Sequence, residues 1–522
     1  MNKKFKRFLP ILTGILIGTS FIPFYPWAIF FAWIPLWTYW LENPTPKKVF
    51  FSGWVCQFVL TLIGFHWITR VASEFGDLPW ILALLALLAF AAFSNLQVAV
   101  SGWIWSKLHN KYSFSKPQSI VVIAFLLIIL EYVFPMIFPW NMGYTWFYAN
   151  WPAYQWADVF GFQGLSALSI LFNACVALSL ERRKLKISNW WVPVGVAALI
   201  FVGLNLTGNT HASPWRLTDE KTNVLQIQAN IGNFQKIAAE KQGMFKYDIL
   251  NEYMRISKLG LEQHPDTNMV IWPETAIPEY LDDHNLSAPY ATLVRNQIRE
   301  LARPLATGAY SIDFGKNDSG VYNGLFYFNE QAELVAPPYR KHVLLAFGEY
   351  FPGAEMFPFL KDLIPAVSDF RRGPGPQVTH FLNTEVGSQV CYEGLFPEIT
   401  RGLVDLGARL IVNVTNDSWY DFFSEPRQHM YMTLGRAVEF RRPLIRTTNT
   451  GISTGVLADG SILAFSKLNE PIFQYLEVSY QKNPEKTFFA RFGQYYPLVL
   501  ILAFVILLIT IRTKTGRLIS IV

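Results

Sequence analysis

Met269-Val-Ile-Trp-Pro-Glu274-Thr275 is an apolar run that ends at a proline and is followed at once by a carboxylate. Such a run reads as a buried strand that stops at Pro273, because proline cannot donate to a sheet ladder. Glu274 is thereby delivered to the edge of a sheet. Ser388-Gln-Val-Cys391-Tyr392-Glu393 repeats the design with a thiol in place of the carboxylate, and Tyr339-Arg-Lys341-His342 supplies a lysine. Around these segments, strands are expected at Asn223 to Gln228, Met269 to Trp272, Leu305 to Ser311, Gly324 to Asn329, Gly387 to Cys391 and Leu410 to Val414. Helices fit between them at Lys236 to Leu261, Pro289 to Ala302, Phe396 to Leu406 and Pro426 to Phe440. Alternation of this kind predicts an α/β layered domain.

The flanking sequence is of another kind. The 522 residues are 52% hydrophobic and only 16% charged, and the apolar residues gather at the two ends. A membrane-spanning helix needs roughly 20 apolar residues. About eight segments qualify: Phe8 to Ile22, Phe24 to Leu41, Val49 to Thr69, Leu78 to Trp105, Ser119 to Phe138, Gly161 to Leu180, Asn189 to Leu206 and Gln494 to Ile511. The first two, separated by Pro23, also read as a kinked or re-entrant hairpin. The predicted order is a transmembrane bundle over 1–210, a catalytic domain over 211–487, and a last span with its tail over 488–522.

Basic residues orient the bundle. Lys3, Lys4, Lys6 and Arg7 precede the first span, and Lys47, Lys48, Lys107, Lys111, Lys116, Arg182, Arg183, Lys184 and Lys186 fall in alternate loops. The intervening short loops carry only Arg70, so both termini are expected in the cytoplasm and the large domain outside it. No small-residue cleavage site follows Ile22, and the first apolar run therefore reads as retained. The net charge of +6 comes mostly from these anchors and calls for no nucleic acid.

Cys56 and Cys175 fall inside predicted spans, which leaves Cys391 as the lone thiol of a domain facing an oxidising compartment. By itself such a thiol also reads as a small buried apolar residue. As a nucleophile it needs a base and electropositive help, since only the thiolate attacks. Glu274 is the candidate base, and Lys341 with the Tyr392 N–H are candidate oxyanion donors. No His-Glu-x-x-His, Walker or Gly-x-Gly-x-x-Gly motif occurs, so neither metal nor cofactor is expected. His342 and His429 lack further ligands nearby in sequence, and both read as hydrogen-bonded structural residues.

The order and flanks of these segments resemble the Glu, Lys and Cys motifs of the nitrilase superfamily, in the form found in apolipoprotein N-acyltransferases. Trp272 to Thr275, Phe347-Gly-Glu349-Tyr350, Val390 to Glu393, Asn416-Asp-Ser-Trp419, Gln428-His429, Arg436 to Glu439, Arg442 to Arg446 and Thr448 to Ile452 carry the likeness. Phe138-Pro-Trp-Asn-Met-Gly-Tyr144 extends it into the membrane. The resemblance implies an eight-span bundle with an αββα sandwich in the periplasm of a bacterial inner membrane. It also implies transfer of a phospholipid acyl chain to the N-terminal amine of a diacylglyceryl-cysteine lipoprotein through a thioester on Cys391. Glu349 and Glu393 take supporting roles in that picture, and Tyr392 shapes an acyl pocket or packs as an ordinary aromatic. The chain departs from the family at Ile237, where tryptophan is frequent, at Val133-Phe-Pro135 after Glu131, and at Trp419-Tyr420-Asp421 in place of Trp-Phe-Gly.

Two further expectations follow. The Phe- and Pro-rich stretch from Phe347 to Arg372, with Phe351, Met356, Phe357, Phe359, Leu360 and Leu363, is apolar enough for a lid lying against the bilayer. A membrane-tethered amidase acting on small soluble amides is the alternative function, with water as the second nucleophile.

Overall fold

The computed structural model describes the chain except for residues 1–5, 75, 77, 233–234, 237, 240–242, 244, 283–287, 315–318, 347, 351–355, 358–369, 419, 421–422 and 520–522. It forms two compact units. One comprises Met1–Thr69, Ile81–His211 and Arg491–Val522, and the other Arg70–Trp80 and Ala212–Ala490.

The first unit is helical. Among the described residues, five helices are long and apolar enough to cross a membrane: Trp80–Tyr112, Lys116–Val133, Pro152–Lys184, Val192–Arg216 and Phe488–Arg512. The pair Pro46–Gly64 and Ile68–Glu74, bent by 61°, makes a sixth if it is one span. Proline opens several of these helices at a position whose N–H has no helical partner anyway, as at Pro46 and Pro117. Ser115 and Gln118 close a capping box at the start of Lys116–Val133.

The first two expected spans are not long helices. Leu9–Gly18 has ten residues, and Phe24 to Leu41 is helical only from Ile34. Pro23 and Pro26 explain the interruption, since each removes a backbone donor. The irregular backbone between them finds side-chain partners instead. Ala28 N–H donates to Ser20 Oγ, Trp33 N–H donates to Asn173 Oδ1, and Asn173 Nδ2 donates to Ile29 O. Non-helical backbone at membrane depth requires such internal satisfaction. The expected Leu78 to Trp105 helix is likewise broken, at Asn95 with φ 57°. Asn95 donates to Thr61 Oγ1 and accepts from Trp140 Nε1, so a buried polar side chain holds the break.

The second unit is a layered α/β domain. Its strands are β1 (Glu220–Gln228), β2 (Met269–Ile271), β3 (Ile277–Tyr280), β4 (Leu305–Phe314), β5 (Ser319–Phe328), β6 (Tyr339–Arg340), β7 (Val378–Phe381), β8 (Thr384–Val390), β9 (Leu410–Thr415), β10 (Leu444–Thr448), β11 (Thr454–Val456) and β12 (Ile472–Tyr480). One sheet runs β12-β1-β2-β4-β5-β6 with β3 beside β4, and the other runs β11-β10-β9-β8-β7. The sheets face each other. Tyr327 Oη bonds Ser388 Oγ across the gap at 2.9 Å, and Gln226 Nε2 donates to Arg446 O at 2.7 Å.

Helices cover the outer faces. Lys246–Gln263 and Pro289–Leu301 pack Leu250, Tyr253, Val294 and Ile298 against Leu225, Val270, Trp272 and Leu305. Pro397–Asp405 and Glu425–Phe440 pack on the second sheet. The helix expected from Lys236 is interrupted: Gln235, Lys236, Ala238 and Ala239 are helical, but Gly243 (φ 70°) and Phe245 (φ 61°) adopt left-handed backbone just before the long helix that starts at Lys246.

Candidate active site

The chemistry gathers where parallel strands end. β1, β2 and β4 are parallel neighbours, as are β8, β9 and β10. Crevices at the carboxyl ends of such strands are the usual binding places of α/β folds. Glu274 follows β2, Cys391 follows β8, Asp417 follows β9 and Asn449 follows β10.

Trp272 anchors the first of these ends. It is fully buried, stacks at a tilt on Tyr253 with centroids 5.2 Å apart, and donates from Nε1 to Ser257 Oγ at 2.9 Å. The chain then turns sharply, with Thr275 at φ 47°, which is rare for a β-branched residue. Gly308 on β4 makes room for this turn, since a Cβ there would lie 2.6 Å from the Glu274 Cα. Lys236, also buried, donates to Glu274 O at 3.3 Å and to Thr275 Oγ1 at 3.4 Å.

Cys391 sits at a second strained corner. Its φ is 54°, between the end of β8 and the short 3-10 helix Cys391–Leu395. Strain of this kind costs on the order of 1–3 kcal/mol and persists where surrounding contacts fix it. Here Glu393 does so. Its Oε1 accepts from Tyr339 Oη at 2.7 Å, His342 N at 2.7 Å and Val343 N at 3.0 Å, while Oε2 accepts from Val390 N at 2.8 Å. One carboxylate thus ties the Cys391 corner to the segment on both sides of Lys341, from Tyr339 to Val343. Tyr392 is buried edge-to-face against Phe396 at 4.9 Å.

Lys341 lies between two carboxylates. Its Nζ is 3.3 Å from Glu274 Oε1 and 2.7 Å from Glu349 Oε2, and it is almost completely buried. Burial pulls its pKa down, but Glu349, Glu274 and Cys391 more than reverse that and hold it above the ordinary lysine value. The amine is a fixed cation. Asn323 joins the same cluster by donating from Nδ2 to Glu274 Oε1 at 2.7 Å and to Glu349 Oε1 at 3.1 Å. Glu349 also accepts from Leu345 N at Oε2, so both of its oxygens are engaged.

The three carboxylates therefore differ. Both oxygens of Glu349 and both of Glu393 accept donors, whereas all described bonds to the Glu274 side chain fall on Oε1. Burial pushes the Cys391 thiol well above the usual range, Glu274 adds to this, Lys341 opposes it and Asp417 adds again. Cys391 is a protonated thiol at rest.

Behind the thiol, Asp417, Glu425 and His429 bring three potential metal-ligating atoms within 4.8 Å of one another. The expectation that His429 has no such neighbours is thereby corrected, because the turn after β9 folds back onto the helix that carries it. A cation already occupies the cluster. Arg446 donates to Asp417 Oδ2 at 2.8 Å and lies 3.3 Å from His429 Nδ1. Burial disfavours the Asp417 carboxylate, but Arg446 and His429 outweigh this and hold its pKa below the ordinary range. This set is a buried ion-pair network, and a guanidinium among the ligands does not suit a metal. His342 Nδ1 is spent on Gly373 O at 2.6 Å.

Sequence reading did not single out Asn323, Lys236, Gly308 or Arg446 for this site. The signal that finds Asn323 is sheet register, since Lys341 N donates to Asn323 O and Tyr310 pairs with Asn323 on the other side. Glu131 belongs to the helical unit, where it hydrogen-bonds Ser166. Ile237, Trp419 and Asp421 lie outside the described residues, as does most of the expected lid. Met356 and Phe357 within that stretch are described, and both are exposed.

Comparison with known proteins agrees with this architecture. Residues 13–175 match the family model for the apolipoprotein N-acyltransferase N-terminal domain, and residues 216–480 match that for carbon-nitrogen hydrolase. The apolipoprotein N-acyltransferase of Bdellovibrio bacteriovorus is 45% identical over 94% of this chain and 91% of its own length. That of Geobacter metallireducens is 30% identical over 94% of this chain and 92% of its own. Among solved structures, Saccharomyces cerevisiae Nit3, a member of branch 10 of the nitrilase superfamily, is 18% identical, covering 54% of this chain and 96% of that chain with a TM-score of 0.37. This chain belongs to the apolipoprotein N-acyltransferase family, and it is an acyltransferase in which a carbon-nitrogen hydrolase domain is joined to a set of apolar helices.

Proposed function

We propose that the protein moves a fatty acyl chain from a membrane phospholipid to the N-terminal amine of a diacylglyceryl-cysteine lipoprotein, by a ping-pong route through a Cys391 thioester. The catalytic residues are Glu274, Lys341 and Cys391. The observation that carries this reading is the distribution of hydrogen bonds around the thiol. One buried thiol, one ammonium held between carboxylates and one carboxylate that among the described residues accepts at a single oxygen act on one another there.

A thiol protonated at rest must lose its proton as substrate arrives. Glu274 accepts it while sulfur attacks the ester carbonyl, and Lys341 with the Tyr392 N–H stabilises the oxyanion. The carbon–sulfur bond forms, the ester carbon–oxygen bond breaks, and the proton on Glu274 leaves with the lysophospholipid alcohol. In the second half the lipoprotein amine attacks the thioester. Its carbon–nitrogen bond forms as the carbon–sulfur bond breaks, and the amine proton passes through Glu274 back to sulfur. The relatives' names supply the lipoprotein acceptor.

The reading includes a bacterial inner membrane with the catalytic domain in the periplasm. Eight passes are part of this reading: the five long helices and the bent pair supply up to six of them, and the stretch that holds Leu9–Gly18 and Ile34–Glu42 is assigned the other two. Reporter fusions check the orientation. Fusions near Asn317 are expected to report the exterior and those near Lys48 and Arg183 the cytoplasm, and a cytoplasmic signal at Asn317 overturns the orientation.

The substrate assignment has its own test. Purified protein given phospholipid and a diacylglyceryl lipopeptide should yield triacylated lipopeptide and lysophospholipid in equal amounts, with small soluble amides left untouched. Lipid-independent turnover of soluble amides with no lipopeptide product would replace this reading with that of a tethered amidase.

A further inference from the structure

We propose that Asn323 is a positioning residue that decides which oxygen of Glu274 handles the proton, an inference that rests on reading Glu274 as the base. Asn323 is buried in β5, between β4 and the strand that leads to Lys341. Its amide orientation is fixed by chemistry. The two carboxylates it touches only accept and Lys341 only donates, so nitrogen must face Glu274 and Glu349. Among the described residues, the Asn323 Oδ1 that results is buried without a hydrogen-bond partner, which is destabilising, and the amide keeps this orientation nonetheless.

The consequence falls on Glu274. Asn323 at 2.7 Å and Lys341 at 3.3 Å both bind Oε1. An oxygen that accepts two strong donors has little lone-pair density left for a proton, so the proton is taken at Oε2. Asn323 also keeps Glu274 and Glu349 apart in role. One amide and one ammonium bridge the two carboxylates, and among the described residues Glu349 accepts at both oxygens whereas Glu274 accepts only at Oε1. The other groups facing Glu274 are the Cys391 thiol, the Tyr420 phenol and, through its main-chain carbonyl, Lys236.

The side chain can be changed without disturbing the lysine strand, because Lys341 is tied to Asn323 through the main chain. The test uses the full-length protein in detergent, phospholipid as the only substrate, and single-turnover acylation of Cys391 as a function of pH. Asn323→Ala should lower the plateau rate about 10- to 100-fold with an unchanged half-saturating lipid concentration, the loss of one charge-assisted bond. Asn323→Asp should move the acidic limb of the profile to higher pH, because a third carboxylate in the cluster makes its neighbours harder to ionise. A packing role would reduce the folded fraction, read by thermal unfolding, and leave both the limb and the plateau rate per folded molecule at their wild-type values. That result overturns the proposal, and if Asn323→Asp fails to fold, an unchanged plateau in Asn323→Ala is sufficient to do so. Glu274→Gln and Cys391→Ala are run alongside. If these still transfer acyl chains, the assignment of base and nucleophile has failed; if they are inactive while the Asn323 variants behave as wild type, only this inference has.

Discussion

Phospholipid alone is expected to add one fatty-acyl mass to Cys391, through a bond cleaved by hydroxylamine, and a lipoprotein amine is expected to discharge it. The thiol is the only one in the α/β unit, since Cys56 and Cys175 lie on helices of the other. Its corner backbone, at φ 54°, turns the chain out of β8 directly into the 3-10 helix that carries Glu393, placing sulfur where Glu274 and Lys341 both act on it. Cys391→Ala should therefore abolish both the adduct and acyl transfer. The measurement is intact-protein mass spectrometry under single-turnover conditions. Acyl transfer at wild-type rates with no adduct, retained by Cys391→Ala, would make the transfer direct and leave Cys391 as a buried apolar residue.

Replacing Lys341 should be nearly as damaging, for two reasons that add. An oxyanion donor is lost, which typically slows catalysis by about 10²- to 10³-fold. The structure supplies the second reason. Lys341 is the cation between Glu274 and Glu349, and without it two buried carboxylates face each other across the Asn323 amide. One of the pair then takes up a proton, because neighbouring buried anions cannot both remain ionised. Lys341→Ala should thus slow thioester formation about 10³-fold or more, and Glu274→Gln should do so to a similar degree while keeping the fold. Thermal unfolding alongside the acylation rate separates the two effects. A Lys341→Ala protein that unfolds like wild type and still acylates within tenfold of it would remove the lysine from the chemistry.

The same residues show what each level of description can carry. The Glu274 and Cys391 segments were legible because each of these groups stands at the end of an apolar run, where a strand must stop, and Lys341 because it stands just ahead of one. Proline at 273 and the polar residues after Val390 mark those ends without any tertiary information. Six of the strands were legible on similar grounds. β10 and β12 were not, because Arg446 interrupts one and the other alternates weakly, and both become strands by pairing with β9 and β1. The membrane half was legible as composition and not as helix boundaries. Its interruptions at residues 19–33 and at Asn95 depend on side chains such as Asn173 and Trp140 that reach across from distant parts of the chain.

By itself, then, the sequence determined the division into apolar helices and an α/β domain, and it marked the thiol, the lysine and the strand-end carboxylate as candidates. Those are properties of local patterning and of residue chemistry, both present in an unfolded chain. Only the tertiary structure decided that Glu349 and Glu393 are saturated while Glu274 keeps an oxygen open, that Asn323 bridges two carboxylates, and that Arg446 fills the acidic cluster around His429. Apart from local bonds such as Val390 to Glu393, these depend on which residues meet across sheets and turns, as at Asn323 with Glu349 (26 positions apart) and Lys341 with Glu274 (67), and register and packing, not local sequence, set those meetings.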